Sequence, residues 1–302
     1  MLAERGAFRQ MGRRMRVVLA TAAALLAFAA NSLLCRAALG GGRADAATFT
    51  GLRLASGAAV LLLLSRGAGG ARGGSWPSAA ALFVYAAAFS FAYFFLPAGV
   101  GALLLFGAVQ VTMISVGIAA GERPPLLVWA GLILALGGLV HLSLRGARAP
   151  SPGGTALMLA AGIAWGVYSL RGRKAGPPLP ATADNFRRAA PLAALVWIVA
   201  AIAGTIHLTP AGAALAVASG ALTSGLGYVA WYSALPHLTA ARAAVLQLSV
   251  SILAAAGGVL LLGEALTARL VVAGAAILFG IALATRKSRP AAEPKAARAA
   301  VN

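Results

Sequence analysis

The chain has 302 residues, of which 61% are hydrophobic and only 10% charged, with a mean hydropathy of +0.88 and a formal net charge of +19. A soluble domain carries roughly 25% charged residues, so this composition excludes a water-soluble fold. The single cysteine, Cys35, excludes an intrachain disulfide and a cysteine-rich metal site. Apolar runs of about 20 residues recur along the chain, long enough to cross a bilayer as helices. They lack the residue-by-residue alternation of a membrane barrel. Composition and pattern therefore predict an all-α integral membrane protein.

In chain order, residues 1–16 form a basic tail with Arg5, Arg9, Arg13, Arg14 and Arg16. The first apolar run covers 17–39. Ala27-Phe28-Ala29 resembles a signal-peptide cleavage pattern, but the run continues to spanning length, so it reads as the first membrane helix. The second span is placed at 46–65 and the third at 76–96, separated by a Gly- and Arg-rich loop. Pro97-Ala98-Gly99 allows only a tight turn, because proline cannot continue a helix ladder. The fourth span follows over 100–121, Glu122-Arg-Pro-Pro125 turns the chain again, and the fifth ends at 144. A Pro- and Gly-rich linker, 145–154, precedes spans at 155–170, 182–206, 210–235, 239–262 and 266–284. A second basic tail occupies 285–302.

The ten spans fall into two similar units, 17–144 and 155–284. Tyr93-Phe-Phe-Leu96-Pro97, an apolar run, Gly121-Glu122 and a further apolar run recur as Tyr232-Ser-Ala-Leu235-Pro236, an apolar run, Gly263-Glu264 and another. Pro to Glu spans 25 residues in one copy and 28 in the other. Ala47-Thr48 with Arg53 recurs at identical spacing as Ala181-Thr182 with Arg187. This self-similarity predicts one unit of about 140 residues used twice.

With both termini cytoplasmic, the inner loops and tails collect 17 Lys and Arg against 5 outside, leaving aside Arg53, Arg187 and Arg188 near or within spans. Loop charge of this kind sets orientation. The positive balance is thus a matter of topology and predicts no nucleic-acid partner. Five helices per unit give the halves opposite orientation, an arrangement that suits alternating access to a midplane site.

Two five-helix repeats, each ending in Pro, an apolar run, Gly-Glu and an apolar run, resemble the EamA-type branch of the drug/metabolite transporter superfamily. Asn31 in the first helix and Trp165-Gly166 in the sixth resemble that family's Trp-Gly/Ser-Asn pattern, split here between the halves. Arg53 resembles its second-helix arginine. The resemblance covers about 17–284. The aromatic-rich third and eighth helices are similar to those of the YddG-type amino-acid exporters.

Polar side chains inside spans are costly and face a bundle interior or a cavity. The candidate substrate-binding residues are Asn31, Tyr85, Phe89, Tyr93, Gln110, Trp165, Tyr168, Tyr228, Tyr232, Gln247 and Ser251. Tyr85, Phe89 and Tyr93 follow at i, i+4 and i+8, on one helix stripe. Trp231 and Tyr232 are adjacent and face different ways. Rings with amides and hydroxyls suit a small solute with an apolar body and a polar head, and an amide both donates and accepts. Plainer readings stand beside these. Tyr93 and Tyr232 lie near helix ends, where tyrosine anchors at the membrane interface. Buried hydroxyls often bond between helices. Glu122 and Glu264 can stabilise turns or pair with Arg123 or Arg269. Pro97 and Pro236 are hinge candidates, and Arg53 is assigned a snorkelling or gate-closing role rather than contact with an anionic substrate.

No mid-span acid, metal-ligand spacing or phosphate-binding loop is evident, so no catalytic residue, metal or cofactor is predicted. The expectation is an inner-membrane, multi-pass, monomeric exporter of small organic metabolites, foremost amino acids including aromatic and hydrophobic ones. It works by alternating access, as a facilitated uniporter without ATP. An exporter of cationic drugs or other metabolites, with or without proton coupling, is the alternative.

Overall fold

A computed structural model describes residues 2–119, 126–143, 150–172, 175–238 and 240–285. The predicted turn at Glu122 and Arg123, the basic residues Arg145, Arg148, Arg173 and Lys174, and the C-terminal tail from Arg286 lie outside the described residues. Among the described residues the chain is helical, and an isolated antiparallel bridge between Ala44 and Leu208 is the single β pairing.

The helices are α1 (Leu2–Leu39), α2 (Ala46–Ser65), α3 (Trp76–Phe95), α4 (Ala98–Ala119), α5 (Leu126–Ser143), α6 (Pro152–Gly172), α7 (Pro178–Ile202), α8 (Pro210–Ala218), α9 (Gly227–Ala234), α10 (Ala240–Leu262) and α11 (Ala268–Thr285). A π-helical segment, Ser219–Leu226, joins α8 to α9 in one continuous rod. Seven rods are long and apolar enough to cross a membrane, and α5, α10 and α11 carry shorter apolar stretches.

Local chemistry sets the helix starts. Asp45 accepts the amide of Thr48 at 2.8 Å ahead of α2, and Ser75 caps α3 with Pro77 in its first turn. Thr209 Oγ1 accepts the amide of Gly212 at 3.1 Å, and Thr267 Oγ1 that of Leu270 at 3.1 Å, opening α8 and α11. These side chains satisfy amides that the helix leaves unpaired. Between α3 and α4 the turn is as tight as Pro97 requires: α3 ends at Phe95 and α4 begins at Ala98.

Several features differ from expectation, among them the start of α6 at Pro152 inside the predicted 145–154 linker and the end of α7 at Ile202. The tail 1–16 is not a separate element, since α1 begins at Leu2; its Ala, Glu, Arg, Gln and Met are good helix formers that extend an existing helix without a new nucleus. Likewise α7 starts at Pro178, four residues before the predicted 182, because prolines are tolerated in a helix's first turn. The eighth rod contains the π segment, which hydropathy cannot register.

Helices of the first half pack mainly on helices of the second: α2 on α7, α3 and α4 on α6, α1 on the π segment, α9 and α10, α4 on α10, and α5 on α11. Loops lock across the same divide at both ends. At one end Thr209 binds the Arg43 carbonyl through its amide and hydroxyl (2.8 and 3.0 Å), and Asp45 accepts the His207 amide at 2.9 Å. At the other end Asp184 accepts the Gly74 amide at 3.1 Å and Asn185 the Ser75 amide at 3.0 Å. Large apolar side chains such as Leu126, Ile133, Leu195, Ile202, Leu260 and Leu261 face outward, as in a bundle solvated by lipid.

Candidate functional site

Both halves send aromatic rings to one buried centre. Trp165 of α6 lies 4.9 Å from Tyr85 of α3, 4.8 Å from Tyr228 of α9, 5.8 Å from Tyr168 and 5.5 Å from Phe28 of α1, centroid to centroid. Phe89 and Tyr93 continue the α3 stripe at 5.3 and 4.7 Å spacing, and Tyr232 stacks edge-on against Tyr168 at 5.7 Å. Tilted and edge-to-face contacts of this kind each contribute about 0.5–1.5 kcal/mol beyond burial. The rings pack against one another and close the centre.

Arg53 sits among them and is fully buried. Its Nε donates to Ser224 Oγ at 2.9 Å, and one Nη donates to the hydroxyls of Tyr85 and Tyr228 at 3.2 and 3.1 Å. The guanidinium carbon is 5.2 Å from the Tyr85 ring centre and 5.0 Å from that of Phe89, within cation–π range. The snorkelling assignment is overturned: the side chain turns inward and ties α2 to α3 and to the α8–α9 rod. The equivalence with Arg187 fails as well. Three residues before Arg187 stands Asp184, which holds the largely exposed Arg187 side chain at 2.7 Å, whereas Thr50 occupies that place before Arg53. Without a local acid, Arg53 reaches across the bundle.

Asn31 is the second polar node. Its Oδ1 accepts from Ser219 Oγ at 2.6 Å and from Thr223 Oγ1 at 3.0 Å, and its Nδ2 points to Tyr85 Oη at 3.5 Å. Replacing Asn31 by leucine strands the buried Ser219 hydroxyl, while Thr223 keeps the Ser219 carbonyl at 2.8 Å, and is expected to lower stability by about 1–3 kcal/mol, read as a fall in the thermal unfolding midpoint. Trp165 Nε1 donates to Gln247 Oε1 at 3.3 Å, which brings α10 to the centre. Gln110 is buried on α4. Ser251 stands apart, donating to the Ala102 carbonyl at 3.2 Å and lining an apolar groove with Leu103 and Leu270.

Tyr93 and Tyr232 are not interfacial anchors. They are 0% and 6% exposed, because Gly101 and Gly172 leave notches that receive their rings. Tyr93 Oη donates to the Ala98 carbonyl at 3.3 Å. Trp231 and Tyr232 do face different ways, yet both are buried: Trp231 meets Phe28 and Tyr232 meets Tyr168. Glu264 pairs with Arg36 at 3.2 Å and accepts the Ala98 amide on both oxygens, at 2.9 and 2.8 Å.

Phe28, Ser219, Thr223 and Ser224 complete the centre without having been singled out by sequence. Phe28 precedes Asn31 by three residues, hence on the same helix face. Ser219-Gly-Ala-Leu-Thr223-Ser224-Gly interrupts an apolar run with three hydroxyls, and wider i→i+5 windings recur at functional sites. Among the described residues, no three His, Cys, Asp or Glu side chains gather as a metal site would require.

The apolar rods and the shared buried centre define a multi-pass helical membrane protein. Residues 152–286 match the EamA-like transporter family. The chain is 56% identical over 284 residues to protein PA1977 of Pseudomonas aeruginosa (strain PAO1), itself described as uncharacterized, covering 92% of this chain and 98% of that one. A protein of known crystal structure superposes with a TM-score of 0.63 at 20% identity, over 89% of this chain and 97% of the other, a likeness of fold. Residues 152–286 therefore form an EamA-like transporter domain, which points to a membrane transporter of small molecules.

Proposed function

We propose that the protein exports small organic metabolites, foremost aromatic and hydrophobic amino acids, across the inner membrane by alternating access without ATP. The carrying observation is the single centre of rings, amides and hydroxyls to which α1, α3, α6 and α9 of both halves contribute. Rings accommodate an apolar side chain, and Asn31, Gln110 and Gln247 offer donors and acceptors to a polar head. The aromatic α3 and α9 support this reading, as they resemble the aromatic-rich helices of YddG-type exporters.

The α5, α10 and α11 rods bring the spanning helices to ten, five in each of two units of opposite orientation. Cross-half pairing supports this, since α3 on α6 is mirrored by the α8–α9 rod on α1, while α2 on α7 and α5 on α11 pair with their own counterparts. The family match begins at Pro152, the first residue of α6, as expected for a second unit of this kind. Arg66, Arg72 and Arg171 lie at the end carrying the α2–α3 loop, which faces the cytoplasm on the positive-inside rule. Pro97 and Pro236 act as hinges for the α3–α4 and α9–α10 hairpins, and Arg53 gates by bridging α2, α3 and α9.

The test is uptake of labelled amino acids and of quaternary cations into proteoliposomes without an ion gradient. Saturable amino-acid flux is expected, reduced about tenfold or more in Trp165→Ala or Gln110→Ala, a loss of ~1.4 kcal/mol or more. Cation flux without amino-acid flux would keep the transporter and replace its substrate. Uphill accumulation driven by a pH gradient would replace uniport by proton coupling.

A further inference from the structure

We propose that Arg53 is the receptor for a carboxylate on the transported solute, so that this carrier takes organic anions and zwitterions and rejects amines that lack the acid group. The proposal rests on the transporter reading above and narrows its substrate class.

A guanidinium taken out of water without a counter-ion is among the most expensive groups a protein can bury. Arg53 is 0% exposed within an apolar rod, and among the described residues no carboxylate lies within ion-pair distance of it. The acids of known side-chain placement are committed elsewhere: Asp45 to the amides of Thr48 and His207, Asp184 to Arg187 and Arg188, and Glu264 to Arg36 and the Ala98 amide. The partners Arg53 does have are neutral hydroxyls, those of Ser224, Tyr85 and Tyr228. Among the described residues its Nη1 meets no acceptor. An arginine held only for structure is expected to have its donors matched, and this one keeps a donor and a full charge in reserve.

The surroundings fit a carboxylate in particular. Guanidinium binds it through parallel N–H donors, with charge-assisted bonds roughly twice as strong as neutral ones. The hydroxyls of Tyr85 and Tyr228 now accept from Arg53; rotated, each donates to the incoming oxygens. Phe28, Phe89 and Trp165 stand beside this polar corner and offer ring faces to the remainder of the solute. A carboxylate that captures Arg53 also takes it from the tyrosines, which loosens the bridge among α2, α3 and α9. Binding and opening are thereby linked through one side chain. A cationic solute brought to the same place meets unscreened repulsion.

The experiment uses full-length protein purified in detergent and, in parallel, reconstituted into liposomes. Phenylalanine, 3-phenylpropanoate and phenethylamine share a ring and differ in their charged groups. Phenylalanine and 3-phenylpropanoate are expected to raise the thermal unfolding midpoint in a saturable manner and phenethylamine is not. Arg53→Lys, which keeps the charge and loses the fork, is expected to weaken carboxylate binding by about tenfold or more. Arg53→Gln should abolish it, and Tyr228→Phe should weaken it only a few-fold. If Arg53→Gln does not fold, the ligand panel on the natural protein decides. Equal stabilisation by phenethylamine, an equal effect from chloride or inorganic phosphate, or no response to either carboxylate overturns the proposal. Arg53-dependent carboxylate binding without flux in liposomes would sustain it while overturning the transport reading.

Discussion

Replacing Gly220 with alanine is expected to reduce transport by about a hundredfold, the scale on which a displacement of 1 Å near a site is felt. Gly220 lies in the π segment, where α2 comes closest to the α8–α9 rod. A Cβ there would collide with the Arg53 carbonyl oxygen and with Ser56 Oγ. The backbone oxygen has no rotamer by which to escape, so the two rods must part. Arg53 would then lose its reach to Ser224 and Tyr228, and Asn31 its contacts with Ser219 and Thr223. Overpacking of this kind also costs about 1–3 kcal/mol of stability. Gly225→Ala is the control, because its Cβ would come no closer than 3.1 Å to the Gly220 carbonyl, 3.6 Å to the Leu61 side chain and 3.7 Å to the Gly57 Cα. Counterflow and thermal unfolding of both variants check the contrast; equal, near-normal flux in the two would show that the close approach is dispensable.

The second large effect is expected at Glu264. Its carboxylate caps the first amide of α4 and holds Arg36, whose Nη1 donates to the Tyr93 carbonyl at 3.1 Å. One side chain thus fastens the ends of α1, α3 and α4 to the α10–α11 loop. Hydrogen bonds to charged groups contribute about 1.5–3 kcal/mol each, so Glu264→Ala is expected to populate an open form of this end some ten- to a hundredfold more. Cys35, fully buried and the only cysteine in the chain, lies one residue from Arg36 and reports directly. Its labelling by a membrane-impermeant maleimide should accelerate by the same factor, while an unchanged rate would place the fastening elsewhere.

The helical class, the order of the spans and most of their ends follow from apolar run length and from proline, because lipid and helix geometry constrain both through short windows. Tyr85, Trp165, Tyr228 and Asn31 are legible as candidates for the same reason, since polar atoms within apolar runs require a purpose. What escapes is whatever depends on a neighbouring helix. The burial of Tyr93 and Tyr232 depends on glycines on adjacent rods. The fate of Arg53 follows from a missing acid at Thr50, visible only when that position is compared with Asp184 in the second unit. The π segment leaves hydropathy unchanged while altering which way Ser219, Thr223 and Ser224 face. Ser251 reads like Asn31 in sequence, yet its helix turns it toward the α4 backbone and a groove outside the ring centre.

The mutual packing of Phe28, Tyr85, Trp165 and Tyr228 has a consequence for turnover. A carrier whose centre stays hollow when unloaded faces a penalty for reorienting alone, and is thereby bound to swap one molecule for another. Here the protein's own rings fill the centre, which would seal the proposed pathway while it is unloaded. In the alternating-access cycle proposed above, the return leg would then proceed without cargo, and the cell would be relieved of solute outright instead of trading it one for one.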